Sequence, residues 1–160
     1  MIVDITKLKQ NIVEQIKITE EVKFDAEILK ETEIKDLKNV TANGYIYTDD
    51  LGDYELNLIV SGTMVLPDSI TLEPVDYDFT TEISGDYKEL MSEMGEIAKN
   101  IDFSLDIFPI IWENILMEIP IKVTGPEATD LKLSGDGWKL VTEESDEQVT
   151  NAFDKLKDLL

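Results

Sequence analysis

Residues 44–66 read GYIYTDDLGDYELNLIVSGTMVL, and this stretch decides the fold. Tyr54, Leu56, Leu58 and Val60 alternate with Glu55, Asn57 and Ile59, the period of two that sends one set of side chains to a buried sheet face. Upstream, Val40, Ala42 and the run GYIYT form a second segment of the same kind. Asp49-Asp50-Leu51-Gly52 lies between them as a turn, so the pair reads as a hairpin of two long antiparallel strands. Pro67-Asp68 makes the next turn. ITLEPVDYDFTTEI (70–83) is then a third strand, and its Pro74 belongs at an edge or a bulge, because proline cannot donate to a ladder.

Working outward from this block, residues 2–5 (IVDI) read as a short first strand. Ile5, Leu8, Ile12, Val13 and Ile16 recur at helical spacing, with Thr6 as cap, and predict a helix over 5–18. Val22, Phe24, Ala26 and Ile28 alternate with polar residues as in a half-buried strand. SGDYKELMSEMGEIAK (84–99) is polar, with two glycines, and reads as a mobile excursion that includes a helical turn and two adaptable methionines. Ile101, Phe103, Leu105 and Ile107 alternate with Asp102, Ser104 and Asp106 as a strand. Pro109 then suits the first position of a helix whose inner face is Ile111, Ile115 and Leu116 and whose exit is Pro120. IKV (121–123) and LKLSGDGWKLV (131–141), with a turn at Asp136-Gly137, offer further short strands. Ser145 and Gln148 form a capping box for a C-terminal helix lined by Val149, Ala152, Phe153, Leu156, Leu159 and Leu160. There is no internal repeat and no low-complexity linker. The expectation is one α+β domain over 1–160: an antiparallel sheet, open or barrel-like, with two or three packed helices. Its parts are 1–40 (N-terminal strand and helix), 41–83 (β block), 84–99 (excursion) and 100–160 (strand, short helix, hairpin and C-terminal helix).

Composition restricts the chemistry. The 160 residues suffice for a real core, since a chain of this size buries roughly 70% of its unfolded surface. There is no cysteine, no histidine and no arginine, because all 14 basic residues are lysine. Disulfides, thiolate metal sites, thiol nucleophiles, imidazole bases and bidentate guanidinium clamps are excluded together. The net charge of −21 repels polyanions, so DNA, naked RNA and an anionic membrane surface are all poor partners. The charge is uneven: residues 1–40 hold seven lysines against nine acids, and residues 41–160 hold seven against 26. No stretch reaches the roughly 18 apolar residues of a membrane span, and MIVDITKLKQ does not read as a secretory leader. The expected location is the cytoplasm.

Two stretches resemble the YceD family, which is linked to accumulation of large-subunit ribosomal RNA. In GDYELNLIVSGTMVLPDSITLEPVDYDFTTEI (52–83) the chain keeps the family's Leu-Glu-Pro at Leu72-Glu73-Pro74, followed by Val75. By register, Asp68 and Thr71 stand where the family carries two cysteines, and Ile70 where an arginine often lies. In DIFPIIWENILMEIPIKV (106–123), Asp106, Ile107, Pro109, Ile111, Glu113, Ile115, Leu116, Ile119 and Pro120 follow the family's order. Thr150-Asn151-Ala152 replaces an Asp-Pro-Arg tripeptide before the final FDKLKDLL. The resemblance covers roughly 40–160. The family's second cysteine-rich patch is absent from VTGPEATDLKLSGDGWKLV, so the metal chemistry it suggests has no ligands here.

The candidate binding residues are Asp106, Trp112 and Glu113 of the second motif, with Trp138, Lys7 and Lys9. Glu113 is either a polar contact to a partner or a structural carboxylate. Trp112 and Trp138 are either stacking surfaces for an unpaired base or core and rim residues. Lys7, Lys9, Lys17, Lys23, Lys30, Lys35 and Lys38 would form an RNA-docking patch if they shared a face; otherwise they are lysines dispersed among acids. Asp49, Asp50 and Asp53 lack the ligand series of a calcium loop and read as a solvated turn. Glu143, Glu144, Asp146 and Glu147 suit a helix start. No residue stands out as catalytic, as a metal ligand or as a cofactor contact. The resemblance implies a non-enzymatic accessory factor of large-subunit biogenesis. Its partner is then a basic ribosomal protein or pre-ribosomal particle, with ribosomal RNA itself disfavoured by charge. The competing readings are a general acidic protein-interaction domain and, far behind, a hydrolase using a carboxylate pair.

Overall fold

The computed structural model describes residues 1–95 and 103–125, and the backbone of 134–135 and 138–139. The chain divides into two compact units, Met1–Ala128 and Thr129–Leu160. In the first, the hairpin expected from 44–66 is the centre of a four-stranded antiparallel sheet. Its strands are β2 (Gln15–Glu21), β3 (Asp36–Thr48), β4 (Tyr54–Pro67) and β5 (Pro74–Asp86), in that spatial order. The β3–β4 turn closes where the sequence placed it, with Gly52 N–H donating to the Asp49 carbonyl. Pro74 is the first residue of β5, which is an edge strand, so its missing N–H is harmless. Gly44 lies between Ile18 and Leu58. A Cβ there would stand 2.0 Å from the Asn57 carbonyl oxygen, so only glycine lets β3 approach β4 this closely.

The inner face of the sheet carries Ala42, Ile46, Leu56, Leu58, Val60, Met64, Phe79 and Ile83, all buried. Against it pack α3 (Tyr87–Glu93) and α4 (Phe108–Met117). Tyr87 and Met91 of α3 and Ile110, Ile111 and Ile115 of α4 complete the core. Fully burying each large aliphatic side chain contributes about 1.5–3 kcal/mol, which makes this interlocked set the main source of stability. A separate two-stranded pair joins β1 (Ile2–Asp4) to β6 (Ser104–Asp106). In the second unit, β7 (Ser134–Gly135) pairs antiparallel with β8 (Trp138–Lys139). The fold is α+β. The barrel option is corrected: among the described residues no sheet closes, and β2 and β5 are free edges.

Three local expectations are corrected as well. The helix predicted over 5–18 is only α1 (Thr6–Lys9), ended by Asn11 at φ 55°, and residues from Gln15 onward are β2. Ile16 and Ile18 satisfy a helical and a strand period at once, and β-branching together with the available edge of β3 selects the strand. Thr6 is not the cap: Ile5 holds the cap position without a side-chain bond, and the Asp4 carboxylate accepts the Thr6 N–H at 2.8 Å and the Thr6 hydroxyl at 2.5 Å. The strand predicted from Val22 to Ile28 is absent, and Ala26–Leu29 form the short helix α2. β2 stops at Glu21 opposite Thr41, where β3 is irregular between Lys38 and Thr41 and Asn39 takes φ 52°, so the ladder ends after one last bond, from the Val22 N–H to the Val40 carbonyl at 2.8 Å.

The excursion expected at 84–99 is replaced over 84–95 by the end of β5 and α3. Asp86 caps α3, accepting N–H bonds from Lys88 and Glu89 at 2.9 Å each. The signal was present in the sequence: Asp86 and Glu89 have capping-box spacing. No strand forms at 121–123. The C-terminal helix, its capping box and the Asp136-Gly137 turn lie outside the described residues.

Candidate functional site

Helix α4 is set by its own sequence. Pro109 occupies its first turn, where no N–H partner is needed. Asp106 stands just before it and accepts the Phe108 N–H at 3.1 Å. The same Asp106 oxygen takes the amino group of Met1 at 3.1 Å, and the Asp106 carbonyl accepts the Tyr87 hydroxyl at 3.2 Å. Burial, then the nearby Asp106 charge, raises the Tyr87 pKa. Asp106 is therefore a structural hub joining β6, α3 and α4, with one carboxylate oxygen engaged within the fold and the side chain 38% exposed.

With Ile110, Ile111 and Ile115 turned inward, helical geometry leaves Trp112 and Leu116 on the flank of α4, half-buried. Phe24 lies against that flank. Its ring is 5.6 Å from both Phe108 and Trp112, tilted by 45° to each. These contacts fix the segment leading into α2 against α4. Between the two helices a shallow cleft of about 410 Å³ opens, lined by Glu27, Ile28, Glu31, Thr32, Trp112 and Leu116. Its floor is aromatic and aliphatic and its rim carries two exposed carboxylates. Such a site suits a cationic side chain with an apolar stem, which can lie along the indole and reach the rim with its charge.

Of the residues singled out from sequence, Trp112 is in this cleft. Glu113 follows it on α4, exposed and without a hydrogen-bond partner among the described residues. Lys7 and Lys9 are exposed in the last turn of α1, and the Lys9 ammonium sits 4.6 Å from the centre of the Phe103 ring. Trp138 lies in β8 opposite Gly135, and its side chain is outside the described residues. The seven N-terminal lysines do not lie on one element. They are spread over α1, β2, β3 and the segments between, and Lys38 is bonded to Asp76 at 2.9 Å. Sequence reasoning missed the cleft's other wall, because Ile28, Glu31 and Thr32 become neighbours of Trp112 only through α2.

Asp68, in the position where the resemblance places a cysteine, is 1% exposed. Its carboxylate accepts N–H bonds from Ile70 at 2.7 Å, Thr71 at 2.8 Å and Gly125 at 2.6 Å. Those bonds, Gly125's foremost, hold its pKa down to about 2. A hydrogen-bonded carboxylate thus ties the turn after β4 to residues 123–125. Among the described residues no three His, Cys, Asp or Glu side chains gather closely enough to hold a metal ion.

An open antiparallel sheet with short helices packed on one face defines the class, an α+β protein. Within that class the chain belongs to the YceD family: the model described as "Large ribosomal RNA subunit accumulation protein YceD" matches residues 56–160. The family's name ties it to accumulation of the large ribosomal RNA subunit. The match begins at Leu56 rather than near residue 40, so it includes Trp112 and Leu116 but not the α2 wall of the cleft. Searches of curated proteins and of solved structures find no match.

Proposed function

We propose that the chain is a non-enzymatic accessory factor of large ribosomal subunit biogenesis, acting in the cytoplasm by binding a basic ribosomal protein or an assembly intermediate. The observation that carries this reading is the Trp112 cleft, an aromatic floor rimmed by Glu27 and Glu31 on a body of net charge −21. An acidic body steers a basic partner toward itself and shields it before it meets RNA. The same field disfavours direct contact with ribosomal RNA, DNA or membrane. The absence of imidazole, thiol and guanidinium groups favours contact over catalysis.

The test is depletion of the protein followed by measurement of the ratio of large to small subunits. The ratio is expected to fall, and the wild-type chain to restore it. A Glu27→Lys/Glu31→Lys variant, altered only at exposed positions, is expected to bind pre-ribosomal particles on the order of tenfold more weakly at low salt and to restore the ratio poorly. An unchanged ratio on depletion refutes the proposal.

A further inference from the structure

The inner face of the four-stranded sheet is filled, whereas its outer face presents side chains to solvent. Three rows cross that face: Thr19–Asn43–Ile59–Glu82, Lys17–Tyr45–Asn57–Ser84 and Gln15–Tyr47–Glu55–Asp86. Tyr45, Tyr47 and Ile59 are 40%, 38% and 46% exposed. Single exposed apolar residues are ordinary, but three on adjoining strands make a patch.

Lys17 is the one cation in these rows, and it lies on β2, at one side. Toward β5 the face turns acidic with Glu55, Glu82 and Asp86. The Glu55 carboxyl is raised above its ordinary pKa, first by loss of water around it and then by repulsion from Asp86, Asp49, Glu89 and Asp53. Asp86 uses one oxygen to cap α3, and its other oxygen is buried without a hydrogen-bond partner among the described residues. The cation beside this cluster is Lys88, bonded to Asp53, and one ammonium against Glu55, Asp86, Asp49, Glu89 and Asp53 leaves net negative charge beside an exposed phenol ring. A polyanion would be repelled here, and so would a second copy of the chain.

A guanidinium fits both features, since its plane stacks on an aromatic ring while its N–H groups pair with a carboxylate. Tyr47 and Glu55 are cross-strand partners, a relation that sets Cβ atoms about 5 Å apart. We infer that this outer face docks an extended, arginine-bearing segment of the partner, with Tyr47 and Glu55 taking a guanidinium between them and Tyr45 and Ile59 seating apolar stems. The inference rests on the proposed function in taking the partner to be basic, and it names a surface separate from the Trp112 cleft.

The test uses the full chain with oligo-arginine, oligo-lysine and oligouridine as probes, followed by calorimetry and amide NMR. Oligo-arginine is expected to bind more tightly than oligo-lysine and to shift resonances of β3 and β4 around Tyr45, Tyr47 and Glu55. Tyr47→Thr is expected to weaken oligo-arginine binding about tenfold, and Tyr47→Phe to retain it. Glu55→Gln is expected to weaken binding while raising Tm, because it removes a repelled charge; a purely structural glutamate would not separate these two effects. Equal binding of the two peptides, shifts centred on Trp112, tighter binding of oligouridine, or unchanged affinity in Tyr47→Thr overturns the inference. Peptide docking on this face without any association with ribosomal particles supports the surface and refutes the ribosomal reading. Particle association untouched by both Tyr47→Thr and Glu55→Gln refutes the surface alone.

Discussion

Phe24 joins the fold to the cleft, and replacing it tests both. Its ring packs on both Phe108 and Trp112, with each centroid 5.6 Å away. Each tilted aromatic pair contributes about 0.5–1.5 kcal/mol beyond area burial. Loss of the half-buried ring in Phe24→Ala removes a further contribution of about 1 kcal/mol. The total is about 2–4 kcal/mol, which for a chain of this size lowers Tm by roughly 5–15 °C. Phe24→Leu keeps most of the apolar contact and is expected to lose only about half as much. The direct measurement is a double-mutant cycle of Phe24→Ala with Trp112→Ala, followed by urea unfolding. The structure predicts a coupling of about 0.5–1.5 kcal/mol between the two positions. The same substitution detaches the α2 wall from Trp112, so partner binding is expected to fall in protein that is still folded. A coupling below about 0.3 kcal/mol, within the error of additivity, would mean that Phe24 does not hold Trp112 and that the cleft is not built as described.

Further outcomes follow from the core and from Asp68. Gly44→Ala places a methyl 2.0 Å from the Asn57 carbonyl oxygen. It is expected to destabilise by about 3 kcal/mol or more, read as loss of soluble folded protein or a sharply lower urea midpoint. Asp68 has a folded pKa near 2, below its ordinary 3.8. Its contribution to stability is therefore complete above about pH 4 and lost as pH falls toward about 2. Asp68→Asn, which opposes an amide N–H₂ to the Gly125 N–H, is expected to lower Tm at neutral pH, and the gap to wild type should close over that window. A gap independent of pH would refute the bonding scheme.

The parts of the fold legible in the sequence were those whose pattern admits one period. From Tyr54 to Val60 the residues alternate without ambiguity, and Asp49–Gly52 has turn chemistry, so β3, β4 and their hairpin could be placed. Pro109 and Pro120 bracketed α4 because proline's missing N–H acts locally. Ile5 to Ile18 fits two periods, and only pairing with β3 decides between them. The Val22–Ile28 alternation fails for a reason located elsewhere in the chain, in the irregularity near Asn39. Of the candidate site, Trp112 was legible as an aromatic residue on a short amphipathic helix. Its neighbours Ile28 and Thr32, some 80 residues away in sequence, were not.

By itself the sequence determined the chemistry that is absent, the sign of the electrostatic field, the central hairpin and the family. These depend on residue type and on spacing within one segment, which folding does not alter. The tertiary structure decided which carboxylates meet, where Asp68 finds its donors, and that Tyr45 and Tyr47 face water while Phe24 closes on Trp112. Those relations join residues far apart in the chain, and they exist only once the sheet's register and the seating of α2 against α4 are fixed.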